Sequence, residues 1–187
     1  MSGRASDEFG TLERRGDVSV VRYERHLAHP QERVWRAITE DADLAAWFPT
    51  TIEGPRRHGA PLHFSFRLGE AEPFGGEMLA FVPPALMELR WADDVLRFEL
   101  RPDQGEGRTG CILALTVTVT EFGKAARDAA GWHVCLERLV ASSDGTAPPG
   151  PERWRELHRT YVERFGPEAS TIGPPEQAGH DRPPAGG

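Results

Sequence analysis

The stretch GKAARDAAGWHVCLERL, from Gly123 to Leu139, limits the fold more than any other part of the chain. In a helix, Ala125, Ala129, Trp132, Leu136 and Leu139 fall at steps of three and four and make one apolar stripe, with Arg127, Asp128, Glu137 and Arg138 beside or opposite it. The alanines ahead of Trp132 let the backbone approach a support. The Trp and two Leu add bulk whose burial contributes roughly 1.5–3 kcal/mol per side chain. Gly131 costs about 1 kcal/mol relative to Ala inside a helix, which predicts a close approach or a bend there. The expectation is one helix over Gly123–Val140, laid across a sheet.

That sheet is written in the preceding segments. Val18–Leu27 sets Val21, Tyr23, Arg25 and Leu27 on one parity against Val20, Arg22, Glu24 and His26 on the other, the alternation of a half-buried strand. Thr51–Glu53, Leu62–Leu68, Gly76–Val82, Leu86–Trp91, Val95–Arg101 and Cys111–Glu121 follow, separated by Gly, Pro and Asp turns. Between the first two strands, QERVWRAITEDADLAAWFP suits two short helices broken near Glu40–Asp41. The fold class is α+β: a curved antiparallel sheet of about seven strands wrapped around a long C-terminal helix, with two short helices after the first strand.

Residues 1–16 are polar and read as a flexible N-terminus, and the domain proper as 17–145. Residues 146–165 read as a linker and one more helix, whose stripe of Trp154, Leu157, Tyr161 and Phe165 is expected to dock on the domain. From 166 to 187 the Pro, Gly and Ala content predicts a disordered tail. The formal charge of −7 and the lack of a Lys/Arg cluster argue against nucleic acid as a partner. The polar start MSGRASDEFG and the lack of a long apolar run predict no signal peptide, no membrane span and a cytoplasmic chain. Cys111 and Cys135 read as small core residues.

Three segments together, RHLAHPQERVWRAITEDADLAAWFP, GEMLAFVPPALMELRW and GKAARDAAGWHVCLERL, resemble the heat-shock protein 90 ATPase activator-like (Aha-type) family of the START-like SRPBCC superfamily. The resemblance covers about Val18 to Ser143. It implies a helix-grip fold, commonly with a cavity between sheet and long helix. It also implies a choice of functions, from carriers to polyketide cyclases and chaperone partners.

No Gly-x-Ser-x-Gly elbow, phosphate loop or metal-spaced ligand set occurs; His26, His29, His58 and His63 lack the partners of a zinc site, and no cofactor is expected. Arg25 is the anomaly, because a cation on the inner parity must find a carboxylate, Glu77 or Glu88, or a ligand anion. The expected pocket lining is Phe64, Phe66, Leu79, Leu89, Trp91, Phe98, Leu115 and Val117 from the sheet and Trp132 and Leu136 from the helix. Trp47 and Phe48 stand near the entrance and Arg25 is the polar anchor. Three functions follow: a carrier or sensor of a small hydrophobic or amphipathic ligand, a protein-interaction module, or a cyclase-like enzyme using Arg25, Glu77, Glu88 or His133. The absence of a paired catalytic set favours the carrier.

Overall fold

A computed structural model describes residues 8–67, 69, 71–104 and 110–173. One antiparallel sheet has eight strands in the order β1-β2-β8-β7-β6-β5-β4-β3. The strands are β1 (Thr11–Arg15), β2 (Val18–Leu27), β3 (Thr50–Glu53), β4 (Pro61–Phe66), β5 (Phe74–Val82), β6 (Leu86–Trp91), β7 (Asp94–Pro102) and β8 (Cys111–Val119). The helices are α1 (Gln31–Thr39), α2 (Asp41–Leu44), α3 (Ala125–Asp144) and α4 (Arg153–Phe165). Leu68, at the end of one expected strand, lies outside the described residues, as do 174–187 of the expected tail.

The apolar alternation puts Val21, Tyr23, Leu89, Leu96, Phe98, Leu115 and Val117 into the core beneath α3. The small residues of α3 do what their size allows. Ala125, Ala126, Ala129 and Ala130 are all buried, and the Tyr23 hydroxyl donates to the Ala129 carbonyl at 2.7 Å, tying β2 to the middle of the helix. The helix runs one turn beyond the expected end, through Ser142 and Ser143. Gly145, at φ 68°, stops it, and the Thr146 N–H caps the Ala141 carbonyl at 2.9 Å.

Four expectations are corrected here. The N-terminal segment is not loose throughout: Thr11–Arg15 pairs with β2, from Thr11 opposite Arg22 to Arg15 opposite Val18. Its residues TLERR carry almost no apolar signal, because an edge strand is held by backbone pairing and favours charges that discourage further pairing. Residues after Gly166 continue as a 3₁₀ turn, Pro167–Ser170. Ala169 is fully buried there, and the Ile172 N–H donates to the Gly123 carbonyl at 2.9 Å. In β5 a bulge separates the pairs Met78–Leu89 and Ala80–Glu88, so Met78 and not Leu79 turns into the core. Gly131 is not at a close approach: a Cβ there would meet only Trp154 Nε1, at 4.0 Å.

As expected, α4 docks on the domain, with Leu157 and Tyr161 buried. No described helix is long and apolar enough to cross a membrane. Trp132, 7% exposed, packs its ring 5.6 Å from Phe48 and 5.5 Å from Trp91. Trp132→Ala should therefore lower unfolding stability by roughly 3–5 kcal/mol in a urea titration. A loss below about 1 kcal/mol would show that this face of α3 is not anchored by the Trp.

Candidate functional site

The structure divides the expected lining. Trp47, Phe48, Phe64, Leu89, Phe98, Leu115, Val117 and Leu136 are all at most 2% exposed and close-packed, so they fill the interior. Leu79 sits at the β5 bulge, where its carbonyl meets His58 Nδ1 at 2.6 Å. Phe66, Trp91 and Trp132 come together at the wall of an open pocket, and Arg25 belongs to a different one.

The first pocket, about 450 Å³, opens between α3, the β6–β7 turn and the start of α4. Trp91 is its hub: the rings of Phe48, Phe64, Phe66, Phe74 and Trp132 stand 5.3, 4.9, 6.4, 4.8 and 5.5 Å away. Trp154 on α4 forms the opposite wall, its ring stacked on His158 at 4.8 Å. Gly131 is the floor, and its missing side chain leaves the space open. The rim is charged but internally matched. Lys124 Nζ lies 2.8 Å from Asp94, whose other oxygen accepts from the Thr120 N–H at 3.0 Å, and Arg127 Nε lies 2.7 Å from Asp128. Burial raises the pKa of the Asp128 carboxyl, with Arg127 and Lys124 opposing.

The second pocket, about 670 Å³, lies between the end of β2, the C-terminal half of α3 and the segment leading into α4. Neither Glu77 nor Glu88 reaches Arg25. Glu88 is held by Arg97 at 2.9 Å, and Glu77 is on β5, far along the sheet from β2. Arg25 instead gives Nη1 to the neighbouring Glu24 carbonyl at 3.0 Å and lies over the Tyr23 ring at 5.8 Å, while its Nη2 is buried without a hydrogen-bond partner among the described residues. Desolvation lowers its pKa, against the pull of Tyr161, Tyr23, Glu8 and Glu137. On the opposite wall Arg153 grips both oxygens of Glu137, at 2.6 and 3.1 Å.

His133 stands behind this wall, completely buried. Its Nδ1 is 2.8 Å from the Tyr161 hydroxyl, and Phe9 packs edge-on at 5.4 Å. Its Nε2 is 3.5 Å from Glu137 Oε1 and makes no hydrogen bond among the described residues. A buried donor or acceptor left in this state costs about 1–3 kcal/mol. Glu8, His133 and Glu137 bring ligand atoms within 4.8 Å of one another, a triad that no sequence motif announced. The only sequence trace is the i, i+4 spacing of His133 and Glu137 on one helix face. Trp154 and Gly131 also escaped a site reading, the first as a docking residue and the second as a packing one. The two cysteines are buried, and burial pushes their thiols up to about 11 (Cys111) and about 12 (Cys135), so neither is a nucleophile.

Comparison with known proteins places the fold. The family model described as "Activator of Hsp90 ATPase homolog 1-like protein" matches residues 28–143, from the approach to α1 through α3. It leaves out β1, β2 and α4. The chain is similar to a conserved protein of unknown function, EF2215, from Enterococcus faecalis, with TM-score 0.72 and 17% identity over 87% of this chain and 93% of that one. It is similar to CalU16 from Micromonospora echinospora, with TM-score 0.65 and 21% identity over 82% and 95%. It is also similar to the protein encoded by BPP1335 from Bordetella parapertussis, with TM-score 0.63 and 26% identity over 78% and 85%. No curated protein matches the chain.

Burial, and then the charge of Arg25, push the His133 pKa from 6.5 down to about 4, with Glu137 pulling the other way. As the pH falls, the unfolded chain therefore takes up this proton before the folded one. Stability present above about 6.5 is lost between about 6.5 and about 4 and levels off below that. Asp128, raised in the folded state, acts with the opposite sign. Urea titrations from pH 7 to 4 on the natural chain and on His133→Gln isolate the histidine: the stability gap between them should narrow as the pH falls. Parallel profiles would show that the ring titrates alike in both states.

Proposed function

Because the chain belongs to the activator of Hsp90 ATPase homolog 1-like protein family, we propose that it binds a small, largely apolar ligand, and that the pocket of Trp91, Trp132, Phe66 and Trp154 receives it. The family name describes a chaperone activator, but a fold hosts many functions, so the reading rests on the pocket. Its volume of about 450 Å³ falls within the range of small-molecule sites, and its walls are mostly aromatic.

The observation that carries the reading is Gly131. A glycine in the interior of a 20-residue helix weakens it by about 1 kcal/mol relative to Ala. No neighbouring backbone or side chain demands the missing Cβ, since the nearest atom is Trp154 Nε1 at 4.0 Å. What the glycine supports is an open floor. The rim supports a neutral ligand over a charged one, because each of its cations already holds a carboxylate: Lys124 with Asp94, and Arg127 with Asp128. The indole N–H of Trp154 offers a donor for one hydroxyl or carbonyl. The role is that of a carrier or sensor, and no side chain at this pocket has the pairing of nucleophile and base that catalysis would need.

The test is a panel of neutral two- and three-ring molecules bearing a single oxygen function, read by tryptophan fluorescence and thermal shift. A ligand at about 100 times its Kd should add about 2.7 kcal/mol to stability. Gly131→Leu should fill the pocket, keep or raise the melting temperature of the free protein, and abolish the ligand shift. No shift from any member, or one that survives in Gly131→Leu, would overturn the reading.

A further inference from the structure

We infer that the second pocket binds a small monocarboxylic acid, its carboxylate received by the Arg25 guanidinium and its hydrocarbon body lying along Val140, Ala141, Ala147 and Pro149. This site is separate from the aromatic pocket and does not depend on it. It rests on the buried Arg25 Nη2, which has no hydrogen-bond partner among the described residues and belongs to the wall of an open pocket. Tyr161, Tyr23, Glu8 and Glu137 stand around this guanidinium.

Arg25 spends Nη1 on the Glu24 carbonyl at 3.0 Å, while its Nη2 makes no hydrogen bond among the described residues. A guanidinium nitrogen can only donate, so Nη2 is an N–H donor awaiting an acceptor.

The natural candidate inside the chain, Glu137, is already taken on both oxygens by Arg153. An outside carboxylate supplies two acceptor oxygens and one negative charge for the guanidinium. A phosphate dianion fits less well, because Glu8, Glu24 and Glu137 stand around the pocket. A divalent cation on Glu8, His133 and Glu137 would need the lone pair of Nε2, would have to displace Arg153 from Glu137, and would sit beside Arg25.

Isothermal titration of the full chain decides it, with hexanoate and phenylacetate, their primary amides, inorganic phosphate and zinc chloride as titrants. The acids should bind at least about tenfold more tightly than the amides, given the strength of charge-assisted hydrogen bonds. Arg25→Met should abolish that binding, and Arg25→Lys, which keeps the charge but loses the second nitrogen, should weaken it. If either variant fails to fold, the comparison of acid with amide on the natural chain still decides. Gly131→Leu should bind the acids as the natural chain does. Loss of acid binding in that variant would put the acids in the aromatic pocket and overturn this inference alone. Equal binding of acids and amides, no binding of acids, preference for phosphate, or zinc binding that Glu137→Gln removes would each overturn it too.

Discussion

Four buried alanines, Ala125, Ala126, Ala129 and Ala130, bring α3 so near the sheet that the Tyr23 hydroxyl reaches the Ala129 carbonyl at 2.7 Å. A backbone carbonyl already serving a helix can accept this second bond only if the strand beneath lies within side-chain reach. The close approach at the alanine end leaves the bulk of Trp132, Leu136 and Leu139 to be packed further along, against Phe48 and Trp91 among others. The sheet must curve to follow a helix whose standoff changes along its length. The β5 bulge at Leu79, which adds local twist, is one place where it does so.

The same unevenness leaves room at two places along α3 and not in the middle. Where the helix carries Gly131, the side-chain layer is missing and the Trp91 cluster faces an opening walled by Trp154. Toward the other end, past Glu137, the helix runs out over β2, where Arg25 interrupts the apolar inner parity of that strand between Tyr23 and Leu27. Between them the interior is filled by Phe98, Leu115 and Leu136, each buried to within 1%. α4 shapes both openings. Trp154 walls one, Arg153 holds Glu137 at the other, and Tyr161 fixes the N-terminal Gly10 and the His133 ring together. Trp154, Arg153, Tyr161 and Gly10 lie outside the segment matched by the family model, whereas Glu137, His133, Gly131 and Trp91 lie inside it, so each pocket joins the shared frame to parts beyond it.

Periodicity was enough to read the frame. Strands β2 to β8, the broken helix pair and α3 all rest on alternation or on a helical stripe, because each buries one face and sequence records burial. What it records poorly is anything held by backbone alone or decided by three-dimensional neighbours. β1 has only Leu12 half-buried, and its stability comes from pairing with β2. Leu79 and Met78 exchange places because a bulge shifts parity by one residue, an event with no apolar signature. Arg25 was legible as an anomaly, since a cation on an inner parity needs an explanation, but its neighbours were not. Glu137 is more than a hundred residues away in sequence and Tyr161 lies beyond the linker. Gly131 was legible as a cost and misread as contact, because sequence gives the absence of a side chain and not what occupies the space.

Charge pairing explains why the two openings should select different ligands. At the aromatic pocket Lys124, Arg127, Asp94 and Asp128 answer one another, so a charged ligand would have to break a pair to make one and would gain little. A neutral ring system loses only its contact with water. At the β2 pocket the pairing is incomplete: Arg153 has taken Glu137, and among the described residues the only hydrogen bond Arg25 makes is to the carbonyl of the residue before it. There a ligand anion completes a pair in place of breaking one. The sequence assembled an apolar body and a cationic anchor into a single amphipathic site, and the fold separates them along α3. Each opening is thereby left with one kind of recognition, shape and apolar area at Trp91, charge and hydrogen bonding at Arg25.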